Sequence, residues 1–156
     1  MIGDDERWTA LLELAGTLEA AGIAATLTGP AALWAQGVMA DWQTASFDAQ
    51  WDNQEAALAL LGIDPADGDG ERFRLRRGGL ELLLAFPRNT VVAAYPWRIR
   101  LERGGQAIWV ESLYGFRDSH FAIRAHKAAV SAFLRERQRE VARNNQAAWE
   151  ADTYES

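Results

Sequence analysis

The sequence predicts an α/β protein of the α+β kind: a mixed, mostly antiparallel sheet with flanking helices and a long C-terminal helix. Three observations predict it. In the first half of the chain, segments of helical period alternate with short β-branched or alternating runs. Later, two pairs of alternating runs fold back at Arg77-Gly78-Gly79 and at Arg103-Gly104-Gly105. After Ser112 the apolar spacing turns helical and stays so.

The first helix is expected over about 5–21, where Trp8, Leu11, Leu12, Ala15, Leu18 and Ala21 recur at three- and four-residue spacing. Asp4 and Asp5 suit its positive N-terminal end, and Gly22 ends it. Ile23–Thr28 reads as the first strand. Gly29-Pro30 then opens a second helix that closes near Gly37, with proline where a missing N–H costs least. The second strand spans about 44–51, where Phe47, Ala49 and Trp51 alternate with Ser46, Asp48 and Gln50. A third helix over about 54–61 is expected to be capped by Asp52 or Asn53. Residues 63–70, IDPADGDG, form an acidic loop. Strands three and four are ERFRLR and LELLLAF, TVVAAYP adds an extended piece, and RIRLE and QAIWVE make the second hairpin. One helix is expected over about 118–150, with its last turns polar nearly all round. Trp34, Trp42, Trp51, Trp97 and Trp109 are expected to supply core mass and Trp149 a docking contact.

The 156 residues, 49 % hydrophobic and 24 % charged, suit one globular domain over 1–156, with a core over about 5–116. The chain has no cysteine, which excludes disulfides, thiolate metal sites and cysteine nucleophiles. His120 and His126 are its two histidines and do not share a helix face well, so an imidazole metal site is not expected. No run reaches the roughly 20 apolar residues of a membrane span, and the acidic start lacks a signal peptide's basic region. A cytoplasmic protein is expected. The net charge of −6 conceals an asymmetry: residues 1–70 carry −11, whereas residues 71–116 carry +4. Complementary packing is the default account of this, and a phosphate-binding face the lesser reading. Arg72, Arg74 and Arg76 alternate onto one face, a solvated or salt-bridged one by default and a nucleic-acid contact as the lesser reading.

The order of elements, with Leu27-Thr28-Gly29-Pro30 between strand and helix, a carboxylate on the next strand in Thr44-Ala45-Ser46-Phe47-Asp48, and another in Gly79-Leu80-Glu81-Leu82, resembles the minimal nucleotidyltransferase superfamily with its polymerase-β-like core. Gly104–Leu113 is similar to a stretch in its toxin–antitoxin and resistance-type members, for whose basic residue Lys127 is a loose candidate. The resemblance covers about residues 10–130 and implies a nucleotidyltransferase-like fold. It implies that Asp48 and Glu81 are the catalytic carboxylates and the ligands of Mg²⁺, and that Thr28, Gly29 and Ser46 bind nucleotide. Two departures stand out. Ser46 occupies the first position of the family's Asp-x-Asp pair, and a hydroxyl is a poor bridge between hard cations. Pro30 removes one N–H from the phosphate-binding turn. The implied function is therefore that of a catalytically impaired member, a nucleotide-binding or regulatory module. The alternatives are an active Mg²⁺-dependent transferase modifying a protein, RNA or small molecule, and a non-enzymatic domain binding a protein partner in a stress or toxin–antitoxin system. Read without the family, Asp48 is equally a solvent-face residue, and Glu81 equally the ion-pair partner of Arg74 or Arg76.

Overall fold

The computed structural model of the protein describes residues 2–38, 41–118 and 124–155, with side chains described up to residue 147 except that of Asp118. The chain divides into two compact units, Met1–Gly115 and Phe116–Ser156.

The first unit is built on six strands: β1 (Ala25–Thr28), β2 (Thr44–Ala49), β3 (Arg72–Arg77), β4 (Leu80–Ala85), β5 (Arg98–Arg103) and β6 (Gln106–Glu111). They form one sheet in the order β3-β4-β2-β1-β6-β5. Pairing is antiparallel for β1 with β2, β3 with β4 and β5 with β6, and parallel for β2 with β4 and β1 with β6. Both hairpins turn on two glycines with positive φ, Gly78 (58°) and Gly79 (78°), then Gly104 (58°) and Gly105 (81°). A turn of this hand matches the twist of the strands and demands residues without a Cβ.

Helix α1 (Asp4–Ala20) packs on β1 and β6, and α2 (Gly29–Ala35) on β1 and β2. Alternation puts Leu27, Phe47, Leu82, Leu84, Ile108 and Val110 on one sheet face, where each is at most 1 % exposed. Burying this face and the apolar stripe of α1 is the main drive to fold. Trp8, Trp34 and Trp42 clamp the two helices to the loop before β2, with ring centroids 4.9 and 5.6 Å apart. The guanidinium of Arg7 lies 4.8 Å over the Trp42 ring and pairs with Asp41.

Four expectations need correction. Helix α3 spans Gln54–Leu61 as the spacing predicts, but a 3-10 turn at Trp51–Asn53 leads into it and the Asn53 side chain makes no capping bond. The TVVAAYP segment is not extended: Val92–Ala94 is a 3-10 turn. Gln50 explains it, because its side chain accepts from the Val92 N–H (2.9 Å) and donates to the Thr90 carbonyl (3.2 Å). Those backbone groups are thereby satisfied without a strand partner. Trp97 is 44 % exposed, and Trp51 and Trp109 are half-buried beneath the guanidiniums of Arg88 (4.6 Å) and Arg98 (3.9 Å). Only Trp34 and Trp42 of the five are core residues among those described. Finally, a short helix that the spacing does not mark, α4 (Leu113–Asp118), precedes the long C-terminal helix, which is present as expected as α5 (Arg124–Glu155).

The second unit contains the whole of α5. Helix-favouring Ala, Glu, Gln and Arg residues carry α5 beyond residue 150, and Glu136 pairs with Arg139 (3.7 Å) and Arg143 (3.3 Å). His126 and Lys127 lie in its first turn, both half-buried. His120, Phe121 and the side chain of Trp149 lie outside the described residues. Among the described residues, no helix is long and apolar enough to cross a membrane.

Candidate functional site

The second face of the sheet is polar, and the strand registers arrange it in rows. One row reads Arg72, Ala85, Asp48, Thr26; the next Arg74, Leu83, Ser46, Thr28; the third Arg76, Glu81, Thr44. The pairing of Leu27 with Val110 sets Glu111 beside Thr28, with Arg98 beyond it on β5. Every residue in a row points to the same side.

These rows place each site residue expected from sequence. Ser46 and Asp48 share the face, as their i, i+2 spacing requires. Glu81 is on the adjacent strand and the same face, but it pairs with Thr44 rather than with Asp48. Four residues separate it from the level of Asp48, roughly 13 Å along the strand. Opposite Ser46 and Asp48, β4 offers Leu83 and Ala85. Glu81 is solvent-exposed and forms no ion pair with Arg74 or Arg76. It therefore incurs no burial cost, because only one face of this interior strand is covered. Gly29 opens α2 with φ 69° and has free space where a Cβ would stand. The Thr28 hydroxyl is already engaged, donating to the Ser46 carbonyl (3.3 Å).

The carboxylate that does enter the field of Asp48 is Glu111. The chain after β4 crosses the end of the sheet: Gln50 holds Thr90 and Val92, and Trp97 accepts from the Ser112 N–H (2.7 Å). This crossing delivers Tyr95, whose hydroxyl lies 3.4 Å from Glu111 Oε1. On the other side, Gln36 of α2 donates to the Glu111 carbonyl (2.8 Å). Burial pushes the Glu111 carboxyl up to about 7, with the Asp48 charge adding to it and the Tyr95 hydroxyl opposing it. Burial also raises Asp48, while the Arg72 guanidinium works against that shift. Tyr95 is pushed up to about 12, by burial first and then by the Glu111 charge. Beneath them the Thr26 hydroxyl is 2 % exposed and has no hydrogen-bond partner.

Sequence reading passed over Glu111 and Tyr95. The alternation of Ile108 and Val110 implies that Glu111 faces the polar side. What the sequence does not carry is the parallel contact of β6 with β1, and that contact brings Glu111 towards Asp48.

No protein-family model matches the chain, and no curated protein matches it in sequence. One solved structure matches over nearly the whole length. It is a Thermotoga maritima protein described as a "putative nucleotidyltransferase", with a TM-score of 0.58, 13 % sequence identity and 94 % of each chain covered. The fold is nucleotidyltransferase-like. An identity of 13 % speaks for the fold alone. Folds of this kind typically work with Mg²⁺, and the donors here do not fit a centre for two cations. Asp48 and Glu111 come from strands on opposite sides of β1, and among the described residues no three acidic or imidazole groups converge.

Proposed function

We propose that this chain is a nucleotidyltransferase-fold protein impaired in catalysis, which serves as a nucleotide-binding or regulatory module. One observation carries the reading: the row through Ser46 offers Leu83 on β4 and Thr28 on β1, with no carboxylate on either neighbour of Ser46. Two cations need charged oxygens converging from adjacent strands, and neither β4 nor β1 supplies one beside Ser46 or Asp48. The parts suited to holding a nucleotide are better kept. Gly29 leaves room beside the start of α2, and the hydroxyl of Ser46 lies in the same row as Thr28.

Incubation with each of the four labelled NTPs, Mg²⁺ and candidate protein, RNA or small-molecule acceptors tests the first half. No label transfer is expected, and robust transfer abolished by Asp48→Asn overturns it. Calorimetry with the same nucleotides tests the second half: binding weakened at least tenfold by Gly29→Val is expected. One observation favours a second reading, an active transferase. Glu111 is a carboxylate in the electrostatic field of Asp48. Transfer lost in both Asp48→Asn and Glu111→Gln would select that reading.

A further inference from the structure

At one edge of the sheet, β3 has a neighbour on one side only, β4. Antiparallel pairing directs alternate residues inward and outward. The Glu71 carbonyl bonds inward to the Phe86 N–H (2.7 Å), so Arg72, Arg74 and Arg76 turn their backbone groups outward. The chain already covers the first of these. Asp69 donates its N–H to the Arg72 carbonyl (3.2 Å), and its carboxylate accepts from the Arg72 N–H (2.8 Å). An acidic residue of the 63–70 loop thus sits on the edge like one residue of an added strand.

Past Phe73, which Gly68 bridges, the edge is open except at the Arg76 carbonyl, which accepts from the Arg77 guanidinium (3.0 Å). Arg74 and Arg76 are exposed, and among the described residues their guanidiniums have no carboxylate, carbonyl or ring partner. Other arginines of the first unit are engaged: Arg77 with the Leu61 and Arg76 carbonyls, Arg88 with Glu71, Arg98 over Trp109, Arg100 with Glu19 and Arg103 with Asp5. A groove of about 310 Å³ runs along the open edge, between Arg74 and Arg76 and the end of α3 at Leu61–Ile63. Leu75, from the opposite face of the strand, lines it too, so the groove lies on the edge itself. Asp67 and Glu81 share it with three arginines, leaving it positive.

We propose that the outer edge of β3 at Arg74–Arg76 takes an acidic extended segment of a partner protein, paired through its backbone, with its carboxylates on the two free arginines. The period of two on β3 matches that of any added strand. Asp69 and Gly68 supply the pattern as far as Phe73, and the proposed segment continues it beyond. A second copy of β3 would set arginine against arginine and does not fit.

The test is fluorescence anisotropy of the full chain with a labelled ten-residue peptide of alternating Glu and Thr. Three comparison probes are the same peptide N-methylated at alternate residues, an alternating Lys–Thr peptide, and a ten-nucleotide single-stranded RNA. Salt-dependent binding of the Glu–Thr peptide is expected, weakened at least tenfold by N-methylation and at least tenfold in Arg74→Glu/Arg76→Glu. Circular dichroism shows whether that variant is folded, and Arg74→Gln gives a milder loss if it is not. No binding at millimolar peptide, equal binding of the N-methylated probe, or RNA binding tenfold tighter than peptide overturns the proposal; the last outcome would assign the arginines to phosphates.

Discussion

The two sides of the β2–β1 pair differ in what they offer Asp48. On the β4 side stand Leu83 and Ala85, with Glu81 a long step away in the row of Thr44. On the β6 side stands Glu111, half-buried, bonded to Tyr95 and held high by burial first and then by the charge of Asp48. The carboxylate that enters the field of Asp48 thus stands on the flank that two strands and a crossing segment enclose, and not on the β4 flank where the resemblance implies it. A carboxylate at the open flank can be solvated without a metal. One at the enclosed flank carries a desolvation cost whenever it ionises.

The largest expected effect marks the limit of the comparison, since it comes from the face common to both flanks. Phe47→Ala, next to Asp48 but 1 % exposed, should lose about 3–5 kcal/mol, read from urea denaturation midpoints. Asp48→Asn, one residue on, should be neutral or slightly stabilising. A comparable loss in both would mean that Asp48 is held by interactions its raised carboxyl does not suggest.

The pH dependence of Glu111 sharpens the comparison directly. Its folded value of about 7 lies above the ordinary 4.5, so the folded state holds the proton more tightly. Its contribution is fully present below about 4.5, is lost as pH rises towards 7, and is flat above that. The loss is about 2–3 kcal/mol. Stability of the natural protein minus that of Glu111→Gln, compared between pH 5 and pH 8, should fall by that amount.

Ser46→Asp tries to restore charge between the flanks. Beside the raised carboxyl of Asp48 it should destabilise the metal-free protein by about 1–2 kcal/mol. Mn²⁺ should raise its melting temperature more than that of the natural protein. An equal response in both would show that position 46 does not face a cation site. The smallest effect lies away from both flanks. Asn53→Ala should cost less than about 0.5 kcal/mol, against the usual loss of about 1, because Asn53 makes no capping bond.

Much of this was legible in the sequence. Period and punctuation placed α3 residue for residue, and the glycine pairs marked both hairpins, because these depend on local chemistry. Alternation also put Ser46 and Asp48 on one face. Register across a parallel pair is another matter. The offset of Glu81 and the approach of Glu111 arise from β2 meeting β4 and β1 meeting β6, contacts between residues far apart in the chain. Gln50 hides in the same way: it reads as an ordinary strand residue, yet its amide shapes a turn forty residues on. Burial of Trp97 failed as an expectation because aromatic content predicts packing mass without saying which rings remain at an edge.

The topology also orders events in time. The β3–β4 and β5–β6 hairpins close over two residues each and are expected within about 1–10 μs. The junction of Leu27 with Val110 ties the start of the first unit to its end, and must wait for the chain between them to be gathered. The β5–β6 hairpin is therefore expected to dock last, so that substitutions in β6 accelerate unfolding while barely slowing refolding. Assembly in that order keeps Glu111 in water, freely ionised, until the final step. The energetic conflict between the two carboxylates would then be met only when the rest of the sheet is already in place to contain it.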